Sequence, residues 1–139
     1  MSIVLDASLA LAWIFERPTP AEATRADRVL DEAHRVELSV PLLWHTEVAN
    51  ALLVGERRKI VTEAAIIDYL ARLDSLPIVA DSVHPAMRRN QIMALARQYG
   101  LSAYDASYLE LALRKGAMLA TFDRKLLEAM KSAGGCVFE

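Results

Sequence analysis

An α/β fold, its mostly parallel sheet covered by helices on both faces, is the class this sequence predicts. Three observations carry that prediction. Short apolar runs of strand length alternate with longer stretches of helical period along all 139 residues. Ala and Leu together number 43, which favours helices, whereas Gly and Pro together number only ten. Hydrophobic residues make up 54% of the chain, enough to build a core and far above the composition of a disordered segment.

The elements follow in order. Ser2, Ile3, Val4 and Leu5 form an apolar run, rich in β-branched residues, that stops at Asp6; it reads as a buried strand. A helix-friendly stretch over residues 8 to 15 is ended by Pro18 and Pro20. Within residues 21 to 35, Ala26, Val29, Leu30 and Ala33 recur at a spacing of three and four, the period of an amphipathic helix. Residues 37 to 40 form a second strand closed by Pro41, and Trp44, Val48, Ala51 and Leu52 then share one face of a helix reaching residue 57. Thr62 is an N-cap for a helix ending at residue 73, residues 77 to 79 form a third strand, and a helix over 85 to 99 stops at Gly100. Ser102 opens the next helix, which stops at Gly116. Residues 118 to 121 are a fourth strand, 124 to 132 a helix and 136 to 138 a fifth strand. No repeat, low-complexity tract or linker interrupts the pattern, so residues 1–139 are expected to form one domain.

Composition narrows the function classes. The net charge of −2 does not by itself announce a nucleic-acid partner, but it is unevenly spread. The first 56 residues carry nine acidic and four basic side chains, the remainder nine acidic and twelve basic. No apolar run approaches the roughly 20 residues that span a bilayer, and the N-terminus has no basic region followed by an apolar signal segment. The single cysteine, Cys136, provides neither an internal disulfide nor a structural zinc site. The cytoplasm is the expected location, with no membrane partner.

In parallel α/β sheets, ligands bind beyond the carboxyl ends of the strands. Asp6 directly follows the first strand, Glu47 lies in the first turn of the helix after the second, and Asp123 stands two residues past Thr121 at the end of the fourth. Asp105 occupies the first turn of the helix opened by Ser102. Each acid alone is equally at home as a helix cap or first-turn partner of the helix dipole, and Ser102 with Asp105 matches a capping box. Together they suggest something else. Two carboxylates about 4 Å apart repel by roughly 4 kcal/mol at an effective dielectric near 20, so a converging set requires protons or cations. Oxygen ligands without His or Cys suit Mg²⁺ or Mn²⁺, which polarise a phosphoryl oxygen and activate water. The chemistry suggested is phosphodiester hydrolysis.

The segments Ile3-Val4-Leu5-Asp6-Ala7-Ser8, Glu47-Val48-Ala49-Asn50-Ala51-Leu52, Leu101-Ser102-Ala103-Tyr104-Asp105-Ala106-Ser107-Tyr108 and Leu119-Ala120-Thr121-Phe122-Asp123 carry a family resemblance. In motif order and spacing, over essentially the whole chain, they resemble the PIN-domain ribonucleases, nearest the small single-domain toxins of the VapC type. The resemblance implies a three-layer α/β/α sandwich, a sheet ordered 3-2-1-4-5, and metal-dependent cleavage of RNA. It assigns Asp6, Glu47, Asp105 and Asp123 to an acidic, catalytic Mg²⁺ or Mn²⁺ site, with Ser8 and Thr121 orienting those acids or their waters. It further implies a homodimeric toxin held in check by a cognate antitoxin. One departure is visible. Other PIN nucleases often carry a further acid just after the fourth, where this chain has Arg124 and Lys125, which leaves a second metal position open.

Arg124 and Lys125 adjoin Asp123 and are the candidate RNA-binding residues; Lys125 also stands to neutralise part of the acidic set. Basic groups at Arg57-Arg58-Lys59, Arg88-Arg89 and Arg114-Lys115 fit either a phosphate-gripping rim or ordinary helix C-terminal partners. His34, His45 and His84 form no metal set, and no nucleophile elbow or phosphate-binding glycine loop is present. Trp13, Trp44, Tyr69, Tyr99 and Tyr108 lie at helical spacings and read as core or interface residues, whereas Tyr104, beside Asp105, is a candidate for contact with a base. Two other readings are the alternatives: a non-catalytic PIN-like scaffold, which would lose an acid where no such loss is visible, and a phosphoacceptor receiver domain, which needs an acidic pair after the first strand and an acceptor Asp ending a central strand, neither of them supplied by Ala7 and the Pro77-Ile78-Val79 strand.

Overall fold

Four parallel strands, β1 (Ser2–Leu5), β2 (Glu37–Val40), β3 (Ile78–Ala80) and β4 (Met118–Ala120), form the sheet of the computed structural model, which describes residues 1–139. Their spatial order is β3-β2-β1-β4, with Ile3 opposite Leu38 on one side and opposite Met118 on the other. Successive side chains of a strand point to opposite faces, and Ile3, Val4 and Leu5 are all fully buried, so both faces are covered. The sheet is therefore parallel and two-sided, as its unbroken apolar strands predict.

The fifth strand, expected over residues 136 to 138, shrinks to one bridge. Val137 pairs with Leu119, the Leu119 amide donating to Cys136 O (3.0 Å) and the Phe138 amide to Leu119 O (2.9 Å). The order 3-2-1-4-5 is corrected to 3-2-1-4 with this contact on the outer edge of β4. The reason is local: Gly134 and Gly135 precede the run and add no side chains to pack, so only one residue settles into register.

Seven helices connect the strands: α1 (Ala7–Ala10), α2 (Pro20–Glu32), α3 (Leu43–Arg57), α4 (Glu63–Asp74), α5 (Pro85–Tyr99), α6 (Ala103–Lys115) and α7 (Arg124–Ser132). The helical stretch expected over residues 8 to 15 splits into α1 and a tighter 3₁₀ turn, Leu11–Trp13. Helix starts obey local chemistry. Thr19 caps α2, Thr62 caps α4 and Ser102 caps α6, each side-chain oxygen accepting an amide of the first turn at 3.1–3.2 Å. α5 and α6 end where Gly100 and Gly116 take φ of 64° and 62°, a left-handed turn that glycine adopts without a Cβ clash.

A core of 27 buried apolar residues spans both faces. Trp44, Val48 and Leu52 of α3, Leu109 and Leu111 of α6, and Leu126 and Met130 of α7 all belong to it; each such side chain contributes about 1.5–3 kcal/mol on burial. α6 is the most deeply sunk helix and packs against β1 and β4. It also buries a charge, Glu110, which is only 4% exposed. Arg88 of α5 bonds Glu110, and Arg114 bonds both Glu110 (2.8 Å) and Asp81 (2.5 Å), fastening α5 and the end of β3 to α6.

Connectivity sets where ligands bind. The chain leaves β1 for β2 on one side and returns to β4 on the other, so the strand order reverses between β1 and β4. A crevice beyond the carboxyl ends of these two strands is the expected site in such a sheet. Asp6 and Thr121 stand there.

Candidate active site

Register explains the first contact. Leu5 pairs with Ala120, and the Asp6 amide donates to Ala120 O (3.0 Å), so the next residues, Asp6 and Thr121, lie side by side. Thr121 Oγ1 donates to Asp6 Oδ2 (2.6 Å), and Ser8 Oγ donates to the same oxygen (2.8 Å). Each hydroxyl also accepts an amide from the turn after β4: Asp123 N–H on Thr121 (2.9 Å) and Phe122 N–H on Ser8 (3.3 Å). Amide, hydroxyl and carboxylate thus form two short relays converging on one oxygen of Asp6. Neither hydroxyl reaches Oδ1. Asp6 precedes α1 in the N-cap position, yet its side chain accepts no backbone amide, so the capping role is not the one it performs.

The other acids arrive from three helices. Asp123 does cap α7, Oδ1 accepting Leu126 N–H (3.0 Å), which leaves Oδ2 uncommitted. Asp105, in the first turn of α6, donates its amide to Ser102 Oγ (3.1 Å). Glu47 lies in the second turn of α3 rather than the first, because α3 starts at Leu43, ahead of the predicted Trp44. Its carboxylate is held by a residue that sequence patterning assigned to the core. Tyr108, fully buried on α6, donates its hydroxyl to Glu47 Oε1 at 2.5 Å. The sequence signal for this was the spacing between Asp105 and Tyr108, one helical turn, which puts both side chains on the same side of α6.

The four carboxylates act as one electrostatic group. Burial pushes the Asp6 carboxyl above its usual range; the Thr121 and Ser8 hydroxyls pull it down, and the charges of Asp105 and Asp123 push it up again. Burial likewise raises Glu47, against the Tyr108 hydrogen bond, with Asp6 and Asp105 adding to the rise. Asp105 is raised by burial and then by Asp123, while Ser102 and Lys125 oppose. No three Asp, Glu, His or Cys side chains are already drawn together as an ion cage. A set of oxygen donors that repel one another, with one carboxylate clamped by hydroxyls and another by a phenol, has the chemistry of a hard-cation site.

The two candidate RNA-binding residues part company. Consecutive helical residues diverge by about 100° around the axis. Lys125 turns toward α6: its Nζ lies 3.7 Å from where a Cβ of Gly100 would stand, and its charge bears on Asp105. Arg124 turns the other way, into the cleft between α2 and α7. Among the histidines, His84 caps α5 through Nδ1 (3.1 Å) and His45 packs edge-on against Trp44. Tyr104 is exposed on α6 next to Asp105. The structure likewise offers the receiver reading no acceptor: Asp81 follows β3, but β3 is an edge strand and Arg114 takes both Asp81 oxygens.

A family model described as "PIN domain" matches residues 3–131. The chain is 33% identical over 129 residues to Ribonuclease VapC3 of Pyrobaculum aerophilum, covering 92% of this chain and 94% of that protein. It is 35% identical over 101 residues to Exonuclease VapC9 of the same organism, covering 72% of each. Among solved structures, that of PAE2754 from Pyrobaculum aerophilum matches with a TM-score of 0.66 at 28% identity, over 93% of this chain and 79% of that one.

Proposed function

This chain belongs to the PIN-domain family, in its VapC-type branch, and on that premise we propose that it is a divalent-metal-dependent ribonuclease acting as the toxin of a toxin–antitoxin pair. The observation that supports the proposal is the buried Asp6 carboxylate, held by the Ser8 and Thr121 hydroxyls at the β1/β4 reversal, with the charges of Asp105 and Asp123 bearing on it and those of Asp6 and Asp105 on Glu47.

These four carboxylates would hold Mg²⁺ or Mn²⁺. When bound, the cation supplies Lewis-acid polarisation of a phosphoryl oxygen and lowers the pKa of water for in-line attack. The remaining work falls to the chain itself. Ser8 and Thr121 hold Asp6 by Oδ2, which fixes the carboxylate and leaves Oδ1 free of both hydroxyls. Tyr108 does the same for Glu47 through Oε1. Lys125 offsets part of the charge at Asp105, which lets a polyanion approach the acids at lower electrostatic cost. Water then adds across the P–O bond, giving a phosphate and a hydroxyl end.

The reading extends to a cognate antitoxin, to a homodimer and to work in the cytoplasm; no helix is long and apolar enough to cross a membrane. Incubation of the purified chain with cellular RNA, followed by sequencing of the new ends, tests it. Cleavage with Mg²⁺ or Mn²⁺, none in EDTA, and none by Asp105→Asn is the expected result. Equal cleavage by wild type and Asp105→Asn would overturn the site, and no cleavage by wild type with either metal would return the chain to the scaffold reading.

A further inference from the structure

Phe122 occupies the turn between Thr121, which holds Asp6, and Asp123, which caps α7. Two guanidinium groups lie over its ring, Arg17 at 4.5 Å from the centroid and Arg25 at 5.4 Å. Arg25 also donates to the Thr121 carbonyl (3.3 Å), which ties it to the residue that holds Asp6, and its charge bears on Glu139. Together with Arg124, the ring and Arg25 line a cleft of about 620 Å³ between α2 and α7.

The charges in this cleft are not all neutralised. Arg17 is paired with Glu22 (3.1 Å) and Lys131 with Glu139 (3.0 Å), and Glu128 contributes a further carboxylate from α7. Arg25 and Arg124 form no ion pair. A guanidinium resting on an aromatic face keeps its full charge while its planar fork is restrained, which suits it to phosphate oxygens. None of the large exposed hydrophobic residues, among them Leu42, Leu53, Ile67, Met87 and Tyr104, belongs to α2 or α7. Protein interfaces are anchored by such residues; this cleft has cations instead. A nuclease whose centre is four carboxylates needs a cationic track beside them, because the acids alone repel the substrate.

We propose that the α2/α7 cleft is the path of single-stranded RNA as it leaves the acidic centre on its Asp123 side, with Arg25 and Arg124 gripping the phosphates and Phe122 setting the Arg25 plane. The proposal rests on the nuclease reading and adds the route of the strand.

Fluorescence anisotropy of a labelled single-stranded RNA of about twelve nucleotides, in EDTA so that no cleavage occurs, tests it across about 50 to 200 mM KCl. Arg124→Ala, which removes no hydrogen bond of the fold, should weaken binding about fivefold and lower the slope of log K against log salt by about 0.7, the value for one lost contact to a single strand. Arg25→Ala should do the same, and Arg25→Lys should keep the slope while binding more weakly than wild type, since charge survives and the planar fork does not. Melting temperature in EDTA checks that each variant is folded. Unchanged affinity and slope in the Arg25→Ala, Arg124→Ala double variant would overturn the cleft assignment and leave the nuclease reading standing. The same result with loss of antitoxin binding would also overturn it, assigning the cleft to a protein. RNA bound through Arg25 and Arg124 but never cut by wild type with Mg²⁺ or Mn²⁺ would support the cleft and refute the nuclease.

Discussion

Asp6→Asn separates the metal-site reading from a purely structural role for the acids without any RNA. The amide oxygen of Asn has two lone pairs, so it can accept both the Thr121 and the Ser8 hydroxyls that now converge on Asp6 Oδ2. What the change removes is the charge. Asp6 is only 6% exposed, and its burial together with the fields of Asp105 and Asp123 disfavours that charge in the folded state. The metal-free variant should therefore melt at or above the temperature of the wild type at neutral pH. With metal the order reverses. A cation held only by the folded chain at a hundredfold excess over Kd stabilises it by about 2.7 kcal/mol. An unfolding entropy of about 2.1 cal/mol/K per residue converts this, for a chain of 139 residues, into a rise of about 9 °C. If loss of one carboxylate weakens binding about thirtyfold, the same excess leaves about 0.9 kcal/mol, or about 3 °C. Thermal melts of both proteins in EDTA, Mg²⁺ and Mn²⁺ read the difference. A variant that rises with Mn²⁺ as much as wild type does, or a wild type indifferent to both metals in the millimolar range, would refute the assignment of Asp6 to a cation site.

Tyr108→Phe keeps the buried ring and removes only the hydroxyl on Glu47 Oε1, so it should lower the metal-free melting temperature by only about 3 °C, for about 1 kcal/mol, yet weaken Mn²⁺ binding several-fold by calorimetry; a metal affinity equal to that of wild type would show that the phenol does not position Glu47. Glu110→Ala strands Arg88 and leaves Arg114 with Asp81 alone, and because these arginines are 30% and 22% exposed and regain some water, the cost in urea unfolding should be about 2 kcal/mol rather than the full penalty of a sealed charge; a loss below about 0.5 kcal/mol would show that the pairing contributes nothing net. The pH response follows from raised carboxyls. Asp6, Glu47 and Asp105 hold protons more tightly when folded than their ordinary values of 3.8 and 4.5 allow, so in EDTA their contribution to stability falls as pH rises from those values through the raised ones. A cation competes for the same oxygens, so the Mn²⁺-induced rise in melting temperature should shrink as pH is lowered through that window, and a rise independent of pH would contradict it.

Local chemistry in the sequence determined the elements and the candidate acids. Unbroken apolar runs such as Ile3-Val4-Leu5 specify strands buried on both faces, and side-chain caps at Thr62 and Ser102 with glycines at 100 and 116 set helix ends, because these interactions act within one or two turns of chain. Asp6 and Asp123 were legible as a pair because each follows a strand and parallel strands end at one edge. What those acids touch was not legible. Asp6 meets Thr121 because Leu5 is in register with Ala120, a pairing across 115 residues that no local period encodes. Tyr108 has the apolar ring of a core residue, and only the placement of α6 against α3 turns its hydroxyl onto Glu47. Arg124 and Lys125 are neighbours in sequence that the helical twist sends to different sites, one to the cleft with Arg25 and one toward Asp105. Glu110, in the middle of a helix, has the sequence signature of a surface residue and is buried because Arg88 and Arg114 neutralise it from two helices. Propensity and period govern each segment by itself, whereas the partner of a polar side chain depends on register and helix packing, which exist only once the sheet has formed.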